Sequence, residues 1–375
     1  MTQRTPAAAL LAAAAALALS ACAGPGEDGG AAASEQPEEA AALTDVVNEN
    51  RRLEADLADA ELRLAEACLE EAGHAVHDRA VLRPADIAEL ELLVETYPFD
   101  GFLPDADTAA RWGFGQWLTT PEGAESDDAE EYAAAVYGED HVEEEPDNSA
   151  WDELPAAEQE AWYEAYYGPD HLDFRAAAMG MAPGAGDGGI ADAEPGGCLL
   201  AVQEGLYGPA EGDTGDGPGW NRAPQDPADT GDFDALREDY RALTADAEAA
   251  FLACLFDRGR GDWAFDDLAG LPLTDYFANA YYRGLPGYEP VSPESGAIPE
   301  LPADLGEDYA SVREHETALA VDFAACGDET GYRETAAAAW DAVQTGYYTA
   351  LEDELFAYQD AMREALERAQ DLLGA

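Results

Sequence analysis

Residues 43–73, LTDVVNENRRLEADLADAELRLAEACLEEAG, decide the fold class. Leu43, Val46, Asn50, Leu53, Leu57, Ala60, Leu64 and Ala67 follow one another at alternating spacings of three and four. That is a heptad seam on a helix running to about Gly73, with Asn50 as a polar interruption. The seam fits a coiled-coil dimer or an amphipathic helix packed on its own domain. About four heptads with alanines in the seam favour the second. Cys68 falls near the helix end, and Gly73 suits the C-cap.

Helical signals recur along the chain. A second helix is expected from Pro84 to about Glu95, proline being tolerated in a first turn, with Tyr97-Pro98 ending it. Two short helices follow, one ending in Tyr137-Gly138-Glu139-Asp140-His141, the other running from Pro155 to Tyr167 and followed by Gly168-Pro169-Asp170-His171. Their Asp-His pairs could be metal ligands, but glycine caps followed by polar turn residues account for them more simply. Ala182–Gly197 reads as loop, Cys198–Tyr207 as a short helix, and Gly208–Gly231 as a further loop. Asp213 and Asp216 in that loop lack the remaining ligands of a calcium-binding loop.

Asp232 opens another helix, with Leu236, Tyr240, Leu243, Ala247, Phe251, Cys254 and Leu255 on one face and Gly259 at its end. Trp263–Tyr282 reads as one or two short helices broken at Gly270-Leu271-Pro272, Pro286–Pro302 as a crossing loop, and about Asp308 to Cys326 as a helix. From Trp340 the apolar positions Val343, Tyr347, Leu351, Leu355, Tyr358, Met362, Leu366, Ala369 and Leu373 repeat every three or four residues. They predict one long amphipathic helix, or two with a break near Gly346. Alanine and leucine dominate while isoleucine is scarce, which favours helix over sheet. The expected fold is all-α: a disulfide-bonded helical bundle in two halves, with long loops and a long C-terminal amphipathic helix. Residues 43–208 form the first half, 209–231 a linker and 232–375 the second.

The N-terminus points outward from the cytoplasm. Arg4 precedes an apolar run, Ala7 to Leu19, too short to span a bilayer, which needs about 20 apolar residues. Leu19-Ser20-Ala21-Cys22 resembles the lipobox of a bacterial lipoprotein signal. On that reading residues 1–21 are a removed signal peptide and Cys22 carries the acyl chains. Residues 22–42, small and acidic, then form a flexible tether. The chain is expected on the extracytoplasmic face of the cell membrane, held through the lipid at Cys22. A plain secretory signal ending at the same place is the alternative. Acyl chains stabilise anchoring by about 0.8 kcal/mol per buried methylene, so two or more are needed.

Four cysteines remain besides Cys22: Cys68, Cys198, Cys254 and Cys326. An even number in an exported chain reads as two disulfides, and three pairings are open. Cys68–Cys198 with Cys254–Cys326 is preferred because each bridge then stays within one half. No paired Cys-x2-Cys spacing supports zinc, and no metal site or cofactor is assigned.

The chain carries 81 acidic residues against 18 basic ones, all of them arginine, for a net charge of −63. Such a surface repels phosphate backbones, excluding nucleic acid as a partner, and is repelled by anionic lipid headgroups. Acids spread along the chain fit a solvated coat, possible haloadaptation, better than a cation site, which stays the alternative. The aromatic stretch Trp112-Gly113-Phe114-Gly115-Gln116-Trp117 suits either a stacking platform for sugar or peptide, or core filling between helices. Core filling is the commoner use.

Three cysteines share a frame, with glycine five residues on: Cys68 and Gly73, Cys254 and Gly259, Cys326 and Gly331. Together with Trp112–Gly115, Glu158–Gly168 and Ala320–Cys326, this resembles a group of actinobacterial exported lipoproteins. His74 and Arg260 depart from the pattern by standing where an aromatic usually follows the glycine, and Tyr332 keeps it. The resemblance implies an anchored, helical, disulfide-bonded envelope protein and no activity.

No Gly-x-Ser-x-Gly elbow, His-Glu-x-x-His or phosphate-binding Gly-rich loop ending in lysine occurs. His74 and His77 would lie one turn apart only if the helix continued past Gly73. The expected role is a non-catalytic envelope protein that binds a partner protein or cell-wall polymer. A calcium-type cation binder and a cell-wall polymer hydrolase using acids near the Trp112–Trp117 loop are the alternatives.

Overall fold

Helix α1, Glu38–Glu71, carries the first core along one side. The computed structural model describes residues 38–137, 146–169, 172, 195–209 and 222–374. These belong to a single compact unit. Helix α1 begins inside the span expected to be tether, so residues 38–42 are helical; Cys22 and the rest of the tether lie outside the described residues. Glu38 and Glu39 suit the positive end of the helix dipole.

The expected seam is followed at Leu43, Leu53, Leu57 and Ala60, all buried, and then slips. Leu64 is half-buried and Ala67 exposed, while Ala65 and Leu69 go inside. A straight α-helix drifts about 20° per heptad against a strict seven-residue repeat, so over this length the inward face moves on by about one residue. The face is filled by the chain's own helices, not by a second copy's α1.

The end of α1 is a Schellman cap. Gly73 has φ +97°, its N–H donates to the Glu70 carbonyl, and the His74 N–H donates to that of Leu69. Gly259 ends a later helix with the same two bonds, from Gly259 to Phe256 and from Arg260 to Leu255. The shared cysteine-to-glycine frame is thus a shared helix ending.

Beyond α1 the chain runs without helix to residue 105, which corrects the helix expected over 84–95. Buried Asn48 of α1 explains the extended course. Its Nδ2 donates to the Leu90 carbonyl at 2.9 Å, and the Leu90 N–H donates to its Oδ1 at 2.7 Å. Arg51 Nε donates to the Ala88 carbonyl. Side chains of α1 thereby satisfy backbone groups that a helix would have paired within itself.

Helices α2 (Ala106–Trp112), α3 (Pro121–Ala124), α4 (Asp127–Tyr137), α5 (Ser149–Asp152), α6 (Ala156–Tyr167) and α7 (Gly197–Tyr207) follow. They are succeeded by α8 (Phe233–Asp257), α9 (Leu273–Tyr282), α10 (Tyr309–Glu329), α11 (Tyr332–Ala350) and α12 (Glu352–Gly374). Only α9 is helical within Trp263–Tyr282. Among the described residues the sole β pairing outside helices is an antiparallel bridge, Ala264 to Ala297. The fold is all-α and disulfide-bonded.

Two large cores organise the helices. In the first, Leu53, Leu57 and Leu69 of α1 meet Trp151, Trp162, Leu206 and, from α12, Met362 and Ala365. Cys68–Cys198 ties α1 to α7 here. The second core is aromatic: Phe102, Tyr240, Phe251, Phe277, Phe323 and Tyr332 with Leu319 and Leu255, closed by Cys254–Cys326 between α8 and α10. Bridges closing loops of this size contribute about 4–5 kcal/mol each in the chain-entropy view. The cores do not follow the chain's expected division at 209–231, since α12 completes the first and Phe102 and Leu103 enter the second.

Two elements differ in register from expectation. In α8 the buried stripe is Leu236, Tyr240, Thr244, Glu248, Phe251 and Leu255, with Leu243 exposed, because α11 packs against the side that advances in steps of four. The C-terminal amphipathic stretch breaks at Leu351, not at Gly346, which stays inside α11. Past the break the apolar stripe changes partner, from the second core to α1 and α7.

Candidate functional site

The Trp112–Trp117 loop folds inward around one carboxylate. Trp112 and Trp117 are buried with Tyr132, and Trp117 Nε1 donates to the Trp112 carbonyl at 2.9 Å. Arg313 covers the Trp117 ring from 4.1 Å while donating to Asp128. Glu316, from α10, is fully buried beneath the loop. Its Oε1 accepts from the backbone N–H groups of Phe114 at 3.1 Å and Gln116 at 2.8 Å, and its Oε2 from Tyr281 Oη at 2.6 Å. Burial pushes the carboxyl up to about 7, against those three hydrogen bonds and the charge of Arg313. The stretch fills the core and presents no stacking platform.

Raised carboxyl pKa values mark catalytic acids only when substrate can reach them. None of the grooves described below reaches Glu316. It holds the loop in place. Sequence periodicity carried no sign of it, since Glu316 is one acid among 81.

Other candidate residues resolve as structure. His77 is buried, its Nδ1 accepts from Trp162 Nε1 at 3.2 Å, and burial lowers its pKa. His74 lies just past the cap of α1, and the two histidines share no helix. Next to His77, Asp78 accepts from Tyr163 Oη at 2.5 Å and Asn148 Nδ2 at 3.0 Å. Burial alone would raise that carboxyl, but these bonds and the N–H groups of Ala80 and Val81 hold it below the usual range. Asp140-His141, Asp170-His171, Asp213 and Asp216 lie outside the described residues.

Carboxylates gather loosely around Tyr358, whose Oη donates to Glu54 at 3.0 Å. Burial, then the charges of Asp226 and Asp229, raise the Glu54 carboxyl despite that bond. Among the described residues no three His, Cys, Asp or Glu side chains come together as metal ligands.

Grooves lie along the N-terminal half of α8. A groove of about 630 Å³ separates α8 from α11, lined by Leu236, Leu243, Ala342, Val343 and Tyr347 with Asp232 and Asp239 at its edge. A second groove of about 410 Å³ shares Leu236 and is walled by Tyr97, Phe233, Tyr240, Leu268 and Trp340, with Arg237 and Gln344 as polar groups. Tyr97 Oη donates to Asp341 at 3.2 Å and Trp340 Nε1 to the Thr96 carbonyl at 3.1 Å, fixing two of these rings. Burial and the Asp341 charge push the Tyr97 hydroxyl up to about 12. Phe233, Leu243 and Leu268 are 43%, 57% and 62% exposed, which places large apolar groups in water along these grooves. Such relief, apolar with a few polar groups, is typical of binding sites. The sequence pattern had put Leu243 inside.

No protein family, curated protein or solved structure matches the chain.

Proposed function

We propose that the chain is an exported, lipid-anchored, non-catalytic binding protein of the cell envelope, and that the two grooves along α8 are its binding surface. The observation that carries the binding part is the run of exposed Phe233, Leu243 and Leu268 beside those grooves. Two disulfides support export, because such bridges persist in oxidising compartments. No helix among the described residues is long and apolar enough to cross a membrane, so on this reading the acyl chains at Cys22 do the anchoring. Glu316, raised to about 7, sits buried under the Trp112–Trp117 loop, which weighs against a wall hydrolase built on that loop.

Expression in a bacterium fed labelled palmitate tests the anchor. The chain should take up label and partition into detergent, and Cys22→Ser should lose both. Equal labelling of Cys22→Ser, or no label on the unaltered chain, sinks the lipid anchor.

A further inference from the structure

The side of α8 that faces the larger groove repeats every seven residues. Asp232, the N-cap residue, forms one row with Asp239 and Asp246; Leu236 and Leu243 lie beside that row on the side toward the core, and Ala235 and Ala242 on its other side. Asp246 continues the row past the groove's end and is exposed, like Asp232 and Asp239. The facing wall, on α11, presents Ala342, Val343 and Gly346. Small side chains on the α11 wall, Ala342 and Gly346, let a third backbone approach closely, and apolar positions spaced by seven match a helix and not an extended chain.

Charge decides what kind of helix fits. No arginine lines this groove; Arg237 pairs with Asp234 and lies with Arg241 on a separate, polar groove. Its rim is therefore negative at heptad spacing, where coiled coils place the charges that choose a partner. A second copy of this chain would bring another net −63, and like charges set against each other suppress association.

We propose that the α8–α11 groove seats a cationic amphipathic helix from another protein. Its apolar stripe lies on Leu236, Leu243 and the facing Ala342 and Val343, and its lysines or arginines lie on the aspartate row beside the leucines. The proposal rests on the grooves being a binding surface and not on the lipid anchor, so the two fail separately.

The test uses the full chain carrying Cys22→Ser and a fluorescein-labelled 18-residue peptide of Leu, Ala and Lys with a heptad apolar stripe. A scrambled peptide of the same composition controls for plain attraction to an acidic protein. At 0.15 M NaCl the amphipathic peptide should bind at least tenfold more tightly than the scrambled one. Leu243→Arg should weaken it at least tenfold. Phe256→Arg, equally exposed at the far end of α8, should change it less than twofold. Asp239→Asn should weaken it about threefold and flatten its salt dependence. Circular dichroism melts check that each variant is folded; both arginine substitutions fall on exposed side chains.

Equal binding of the scrambled peptide, or binding untouched by Leu243→Arg, overturns the proposal. So does a dimer in sedimentation that Leu243→Arg dissolves, which would make the occupant a second copy. Competition by a neutral wall oligosaccharide would make it a glycan.

Discussion

Glu316 accepts three hydrogen bonds in full burial, so its ionisation and the fold are linked. Its folded pKa, about 7, lies above the ordinary 4.5. The native state thus holds that proton more tightly than the unfolded chain does. The stability from this group is fully present below about pH 4.5 and is lost as pH rises through about 7, by an amount on the order of 3 kcal/mol. Glu316→Gln can keep the two backbone bonds on its amide oxygen and turn its NH2 to Tyr281. Urea unfolding of both proteins at pH 5 and pH 8 should show the variant gaining on the parent as pH rises. An unchanged difference between the two pH values would mean that Glu316 does not titrate in place.

At the scale of the element, helix endings follow local rules while helix faces follow neighbours. Gly259 has φ +73° and open space around the site of a Cβ, so Gly259→Ala introduces strain without a clash. The expected loss is about 1 kcal/mol, read from the denaturation midpoint, and Gly259→Asn should lose less. A loss above about 3 kcal/mol would mean that packing, not φ, selects glycine there. Faces were less legible. The seven-residue reading of α1 holds at Leu43, Asn50, Leu53, Leu57 and Ala60, misses at Val46, where Val47 is buried instead, and slips after Ala60, because a lone helix turns at 3.6 residues and not 3.5. In α8 the apolar pattern nominated Leu243 for the core, yet Thr244 and Glu248 went inside, where Thr244 Oγ1 donates to Glu248 at 2.7 Å. A polar pair that satisfies itself can be buried, and no hydropathy pattern announces that. Residues 84–95 failed as a helix for a related reason: Asn48 and Arg51, about forty positions earlier, take their backbone bonds.

Over the whole molecule, charge sets the response to ions. With net −63 and no ligand cluster among the described residues, salt should stabilise the chain by screening alone. Melting temperatures in NaCl and CaCl2 at matched ionic strength should then rise alike. A clearly larger rise with millimolar calcium would reveal a specific carboxylate site and favour the cation-binding alternative. The grooves along α8 were not legible from the sequence at this scale, because their walls come from residues 96–98, 232–243, 268 and 340–347.

The sequence by itself determined the all-α class, the bounds of α6, α7 and α8 to within two residues, the two glycine-capped endings after Cys68 and Cys254, and the even cysteine number that makes two bridges possible. These depend on propensity, periodicity and backbone conformation, which act over a few residues. Only the tertiary structure decided that α12 completes the first core, that Glu316 rather than solvent receives the Trp112–Trp117 loop, and that Leu243 stays in water beside an acidic rim. Those outcomes depend on which surfaces meet, and in a chain where apolar stripes recur on many helices, local pattern does not specify the partner.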